Sequence, residues 1–169
     1  MNRVNVPSPR PAPAISSLGA GERPLISVSW DHSPQLEQFL PFVNAYAKGR
    51  FSNSMAERIT LATNELLDNA LRYGSLAREF SFRLEMNSSS VGVSVRNSTV
   101  QTRIDMLVAQ LKRLETTPEQ VYASELERSA LSSGRRSMLG LARIRHEAEM
   151  QLELALEGQD VSLRAFCPR

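Results

Sequence analysis

Between positions 64 and 74 the sequence reads Asn-Glu-Leu-Leu-Asp-Asn-Ala-Leu-Arg-Tyr-Gly, in which Glu65 and Asn69 stand four residues apart. On a helix that spacing places both side chains on one face. A carboxylate there can orient, or take a proton from, a hydroxyl that attacks a phosphate. An amide oxygen beside it can help hold a hydrated magnesium ion, which prefers oxygen ligands. Phosphoryl transfer asks a protein mainly for positioning and charge stabilisation, so such a pair is enough to seed a site. The same spacing is also met by two polar residues on a solvated helix face.

The helix that would carry the pair has a clear pattern. Met55, Ile59, Ala62, Leu66, Ala70 and Tyr73 trace an apolar stripe, Ser54 and Glu57 have the spacing of a capping box, and Gly74 is a natural stop. Ahead of it, Ile26, Val28 and Trp30 alternate as in a half-buried strand. A helix then runs to Gly49 through Leu36, Phe39, Leu40, Val43, Tyr46 and Ala47, with Ser33 as cap, Pro34 in its first turn and Pro41 bending it. After it, Phe80, Phe82, Leu84, Met86 and then Val91, Val93, Val95 read as antiparallel strands joined by the polar residues 87–90.

Residues 101 to 133 are helical in pattern, broken by Thr-Thr-Pro at 116 to 118, and residues 132–137 form a loop. A helix over Met138 to Glu149 precedes a closing hairpin, with Leu152, Leu154, Leu156 on one strand, Val161, Leu163, Ala165 on the other, and Gly158 at the turn. The order β-α-α-β-β-α-α-α-β-β specifies a two-layer α/β sandwich, a mainly antiparallel sheet covered on one face by helices.

Charge and composition exclude several function classes. The formal net charge of the 169 residues is +2, and all of it falls in residues 1–24, which also hold five of the nine prolines. That segment reads as a flexible Pro-rich tail. Residues 25–169 carry 17 basic and 17 acidic side chains, so no basic nucleic-acid-binding face is expected. No apolar run reaches the roughly 18 to 20 residues of a membrane span, and no secretory signal is apparent. The single Cys167 rules out an intrachain disulfide and suits a cytoplasmic setting.

Glu65-x-x-x-Asn69-Ala70 followed by Arg72-Tyr73-Gly74 resembles the asparagine box of the GHKL (Bergerat-fold) ATP-binding family, in which related stretches read E-L-L-x-N-A-x-K-Y or E-x-x-x-N-A-x-x-H-G. The resemblance implies that Glu65 is the general base, Asn69 the Mg2+ ligand and Arg72 a phosphate contact. It further places Asn97, in Arg96-Asn97-Ser98-Thr99, where the family has an aspartate that accepts the adenine amino group. An amide oxygen can accept that bond without bringing charge. Ser133-Gly134-Arg135-Arg136-Ser137-Met138-Leu139-Gly140-Leu141 is similar to the family's glycine-rich lid. Gly140-Leu141 matches its end, Met138 replaces an earlier glycine, and Gly134, Arg135 and Arg136 are candidate phosphate contacts. As a plain reading, Gly134 is an ordinary loop glycine and the arginines are a solvated pair.

The likeness spans about residues 25 to 166 and is greatest to small stand-alone SiaB-type kinases and anti-sigma-factor serine kinases, with a helical lid insert at about 101–136. No long helical hairpin precedes Glu65 to present a phosphoacceptor histidine, and His146 reads as a helix-surface residue. The resemblance implies an ATP- and Mg2+-dependent serine/threonine kinase acting on a small acceptor or anti-sigma-antagonist-like protein in a bacterial partner-switching circuit. The alternative is a non-catalytic adaptor that keeps the fold and sequesters a protein partner. Monomer and homodimer both remain open.

Overall fold

Alternation of apolar and polar residues builds the sheet, and helical apolar stripes cover one of its faces. A computed structural model describes residues 24–30, 36–75, 80–131 and 139–168. Its elements are β1 (Ile26–Trp30), α1 (Leu36–Arg50), α2 (Asn53–Tyr73), β2 (Phe80–Met86), β3 (Ser90–Ser98), α3 (Gln101–Thr116), α4 (Pro118–Leu131), α5 (Leu139–His146), β4 (Gln151–Glu157) and β5 (Asp160–Pro168). The strands pair in the order β1-β2-β3-β5-β4, every neighbour antiparallel. The chain is therefore a two-layer α/β sandwich. The expected tail, apart from Pro24, lies outside the described residues, as do Ser33, Pro34 and the 132–137 loop.

Register sorts the side chains. Val28 faces Phe82, Phe82 faces Val95, Val95 faces Leu163 and Leu163 faces Leu154, so one apolar row crosses all five strands beneath the helices. The other face carries a polar row, Ser27, Arg83, Ser94, Arg164 and Glu153, in the same registers. Arg164 lies 2.9 Å from Glu85 and 3.1 Å from Glu153, pairing across β2, β5 and β4. That face neutralises its own charges and is fitted to water. On the covered face Phe82, Leu84, Ile59, Leu66 and Leu67 are all but fully buried. Phe82 meets Phe39 of α1 edge to face, with ring centres 5.1 Å apart.

Three expectations about helix ends need correction. α2 starts at Asn53 and is capped by Ser52, whose side chain accepts from the Met55 N–H at 3.3 Å, so Ser54 falls inside the first turn and the Ser54/Glu57 box does not form. Pro41 sits inside α1, which continues through Gly49 to Arg50. The last helix ends at His146 rather than Glu149. Glu149 adopts the left-handed conformation (φ 51°), with the Ala148 N–H on the Arg143 carbonyl and the Met150 N–H on the Ile144 carbonyl, each at 3.1 Å, so the chain leaves the helix without a glycine.

Candidate functional site

The C-terminal end of α2 is docked onto the end of β3, and this fixes the face that carries Glu65 and Asn69. The Ala70 carbonyl accepts from the Gly74 N–H at 2.7 Å and from Asn97 Nδ2 at 3.4 Å. The Thr99 hydroxyl donates to the Tyr73 carbonyl, and the Ser75 N–H donates to the Ser98 carbonyl at 2.7 Å. The Thr99 bond satisfies a carbonyl that the helix end leaves without an intrahelical partner, and the Asn97 and Ser75 bonds tie α2 to β3. Gly74 has an extended backbone (φ −77°), so its glycine is not required by a left-handed stop. It is required by space: a Cβ would come within 2.3 Å of the Ala70 oxygen and 2.4 Å of Asn97 Nδ2.

Glu65 is 9% exposed, on the packed side of α2 among Ala62, Leu66 and Ala70. A solvated helix face is therefore excluded for this residue. Burial pushes its pKa up, and the Arg143 guanidinium opposes that rise while Asp68 and Glu147 add to it. Arg143 Nη1 lies 2.5 Å from Glu65 Oε1. The rest of the same guanidinium is held by Glu147, Nε at 2.8 Å and Nη2 at 3.0 Å, and the Tyr122 hydroxyl of α4 donates to Glu147 at 3.1 Å. One arginine thus ties α2 to α5 and, through Glu147, to α4.

Gly140 lets α5 come this close. A Cβ at that position would stand 2.5 Å from Glu65 Oε2 and 3.3 Å from its Cδ. Alanine normally gains about 1 kcal/mol over glycine inside a helix, but overpacking costs about 1–3 kcal/mol. Gly140→Ala is therefore expected to lower stability in urea unfolding and to displace Glu65 from Arg143. A variant as stable as the parent would show that Glu65 gives way freely.

Beside this cluster lies a cavity of ≈ 70 Å³ between α2, α3 and the sheet. Its walls are mainly apolar, including Leu66, Ala70, Val95, Leu107, Leu141 and Leu163, with Asn69, Asn97, Thr99 and Gln110 as neutral polar groups. No carboxylate lines it among the described residues. Arg103 of α3 covers the Tyr73 ring at 4.9 Å. Asn69 Nδ2 is buried and has no hydrogen-bond partner among the described residues. An amide left so is suited to a polar ligand, since either of its two orientations presents an unsatisfied group.

The structure therefore brings Glu65, Asn69, Asn97 and Gly140 around one region, with Asn69 and Asn97 on the cavity wall and Gly140 against Glu65. Arg72 pairs with Asp68 at 2.8 Å on the outer side of α2. Gly134, Arg135 and Arg136 lie outside the described residues. Arg143 is the partner that sequence reasoning missed, because it is 78 positions from Glu65 and belongs to no motif. His146 is exposed and stacks on Tyr122 at 4.2 Å, in line with a surface role. Among the described residues no helix is long and apolar enough to cross a membrane.

A solved structure shares this architecture. The similarity is to a chain in the crystal structure of the SiaB–SiaC complex from Pseudomonas aeruginosa, at TM-score 0.67 and 19% identity, covering 86% of this chain and 90% of that one. At that identity the likeness speaks for the fold. No protein-family model matches the sequence, and no curated protein does.

Proposed function

We propose that the chain binds Mg-ATP in the α2–α3 cavity and passes the terminal phosphate to a hydroxyl of a small acceptor protein in a partner-switching circuit. One observation carries this reading: a buried carboxylate, Glu65, stands one helical turn from Asn69, which lines an apolar cavity and whose buried Nδ2 has no partner among the described residues. A mainly apolar cavity with a few neutral amides suits a nucleobase. Among the described residues no group of three or more His, Cys, Asp and Glu side chains is placed to hold a metal. Magnesium would be held chiefly by phosphates and water, with Asn69 Oδ1 as its ligand from the protein. When bound, the ion would neutralise charge on the phosphates.

Glu65 would then orient the incoming hydroxyl and accept its proton, while Asn97, anchored on Ala70 through Nδ2, would offer Oδ1 to the base. The fold shared with a chain of a two-protein complex, SiaB–SiaC, supports a role exercised on a protein partner. A second reading has its own observation. The Glu65 carboxylate is engaged by Arg143, as suits an adaptor that keeps the fold and sequesters a partner without catalysis.

Glu65→Ala separates the two. With labelled ATP and a candidate acceptor, a base predicts transfer slowed by about 10²–10⁴-fold with ATP affinity changed far less. Equal losses in binding and transfer would make Glu65 structural.

A further inference from the structure

Resting on the nucleotide reading above, we propose that Arg143 receives the terminal phosphate of a bound nucleoside triphosphate, giving up its contact with Glu65 to do so. The guanidinium is already divided between two tasks. Glu147, just beyond the end of α5 and steadied by Tyr122, holds Nε and Nη2 as a fork, while Nη1 alone reaches across to Glu65. The fork fixes the plane of the guanidinium, so Nη1 stays where it is, and a new acceptor reaches it when the Glu65 carboxylate swings aside.

Geometry sets which acceptor that is. A hydroxyl whose proton Glu65 takes lies between that carboxylate and the terminal phosphate, which brings the phosphate close to Nη1, itself 2.5 Å from the carboxylate. With the fork kept by Glu147, what Nη1 offers a phosphate oxygen is a charge-assisted hydrogen bond from a group that always stays protonated. A terminal phosphate therefore competes directly with Glu65 for Nη1, and its arrival leaves the carboxylate free to accept a proton. Gly140 keeps this side of α5 clear of any side chain that would separate the two helices. Arg143 is thus a sensor of the third phosphate, and a nucleoside diphosphate leaves it on Glu65.

The test is calorimetry of Mg-ATP and Mg-ADP on the full chain, with melting curves for each variant. A hydrogen bond to a charged group predicts that the parent prefers ATP over ADP by about 10- to 100-fold. Arg143→Met should bring the two affinities within about twofold of each other, leaving ADP binding as in the parent, and Arg143→Lys should keep part of the preference. Glu65→Gln, which removes the competing charge, should tighten ATP by about threefold or more without changing ADP. An Arg143→Met variant that melts like the parent and keeps the full preference would overturn the proposal while leaving the nucleotide reading intact. So would a parent that binds both nucleotides equally. If Arg143→Met does not fold, Glu65→Gln decides, and an unchanged ATP affinity there overturns the proposal. A parent that binds neither nucleotide overturns the nucleotide reading and this assignment with it.

Discussion

Asn69→Ala should abolish the heat of Mg-ATP binding while leaving the protein as stable as the parent or more so. Both halves follow from one amide, whose Nδ2 is the atom left without a partner and whose Oδ1 would hold Mg2+. Asn69 Nδ2 is buried and unpartnered among the described residues, and a buried polar group without a partner costs about 1–3 kcal/mol. Alanine removes that cost and is a better helix former than asparagine, so the melting temperature should hold or rise. Binding should suffer. A hydrogen bond to a charged ligand contributes about 1.5–3 kcal/mol, which is about 10–150-fold in affinity and enough to take a modest affinity out of the calorimetric range. A residue that serves only the fold gives the opposite pattern, a lower melting temperature with binding lost in proportion. Loss of stability on Asn69→Ala would therefore place the amide in the scaffold.

Phe82→Ala should be the most damaging single truncation in the core. Phe82 is fully buried in β2, between β1 and β3 and against Phe39 of α1. Removing a buried phenylalanine ring costs about 3–5 kcal/mol, from lost transfer energy together with the cavity left behind. Domains of this size hold about 5–15 kcal/mol in total, so the variant should unfold at a much lower urea midpoint and be partly unfolded at 37 °C. A midpoint within the error of the parent would mean that the row crossing the five strands is packed differently. Because α2 lies on that row, nucleotide binding should weaken along with stability, unlike the Asn69→Ala pattern.

The elements and their order were legible because their signals are local. Period-two alternation marked all five strands, and the α2 stripe marked the helix that carries the candidate site. Thr-Thr-Pro at 116–118 marked the break, and α3 ends at Thr116 while α4 starts at Pro118. Helix ends were less legible, since Ser52 and Ser54 offer the same chemistry two residues apart and backbone geometry selects Ser52. The stop after α5 uses Glu149 in a conformation that glycine usually supplies.

Residue type and spacing singled out Glu65 and Asn69 as candidates, with a solvated helix face as the alternative, and did not show that Glu65 is packed inward. That depends on which side of α2 meets α5. The Arg143 contact was out of reach for the same reason: it joins residues 78 apart through the packing of two helices. Gly74 and Gly140 were noticed as a stop and a motif residue. Their physical role is to remove a Cβ where Ala70 and Asn97, or Glu65, already occupy the space.

Titration of the full-length protein with Mg-ATP in a calorimeter, on material shown by melting to be folded, tests the central claim most directly. A saturable heat at micromolar to millimolar nucleotide, lost in Asn69→Ala, is the predicted result. No heat with either ATP or ADP from the folded protein would contradict it.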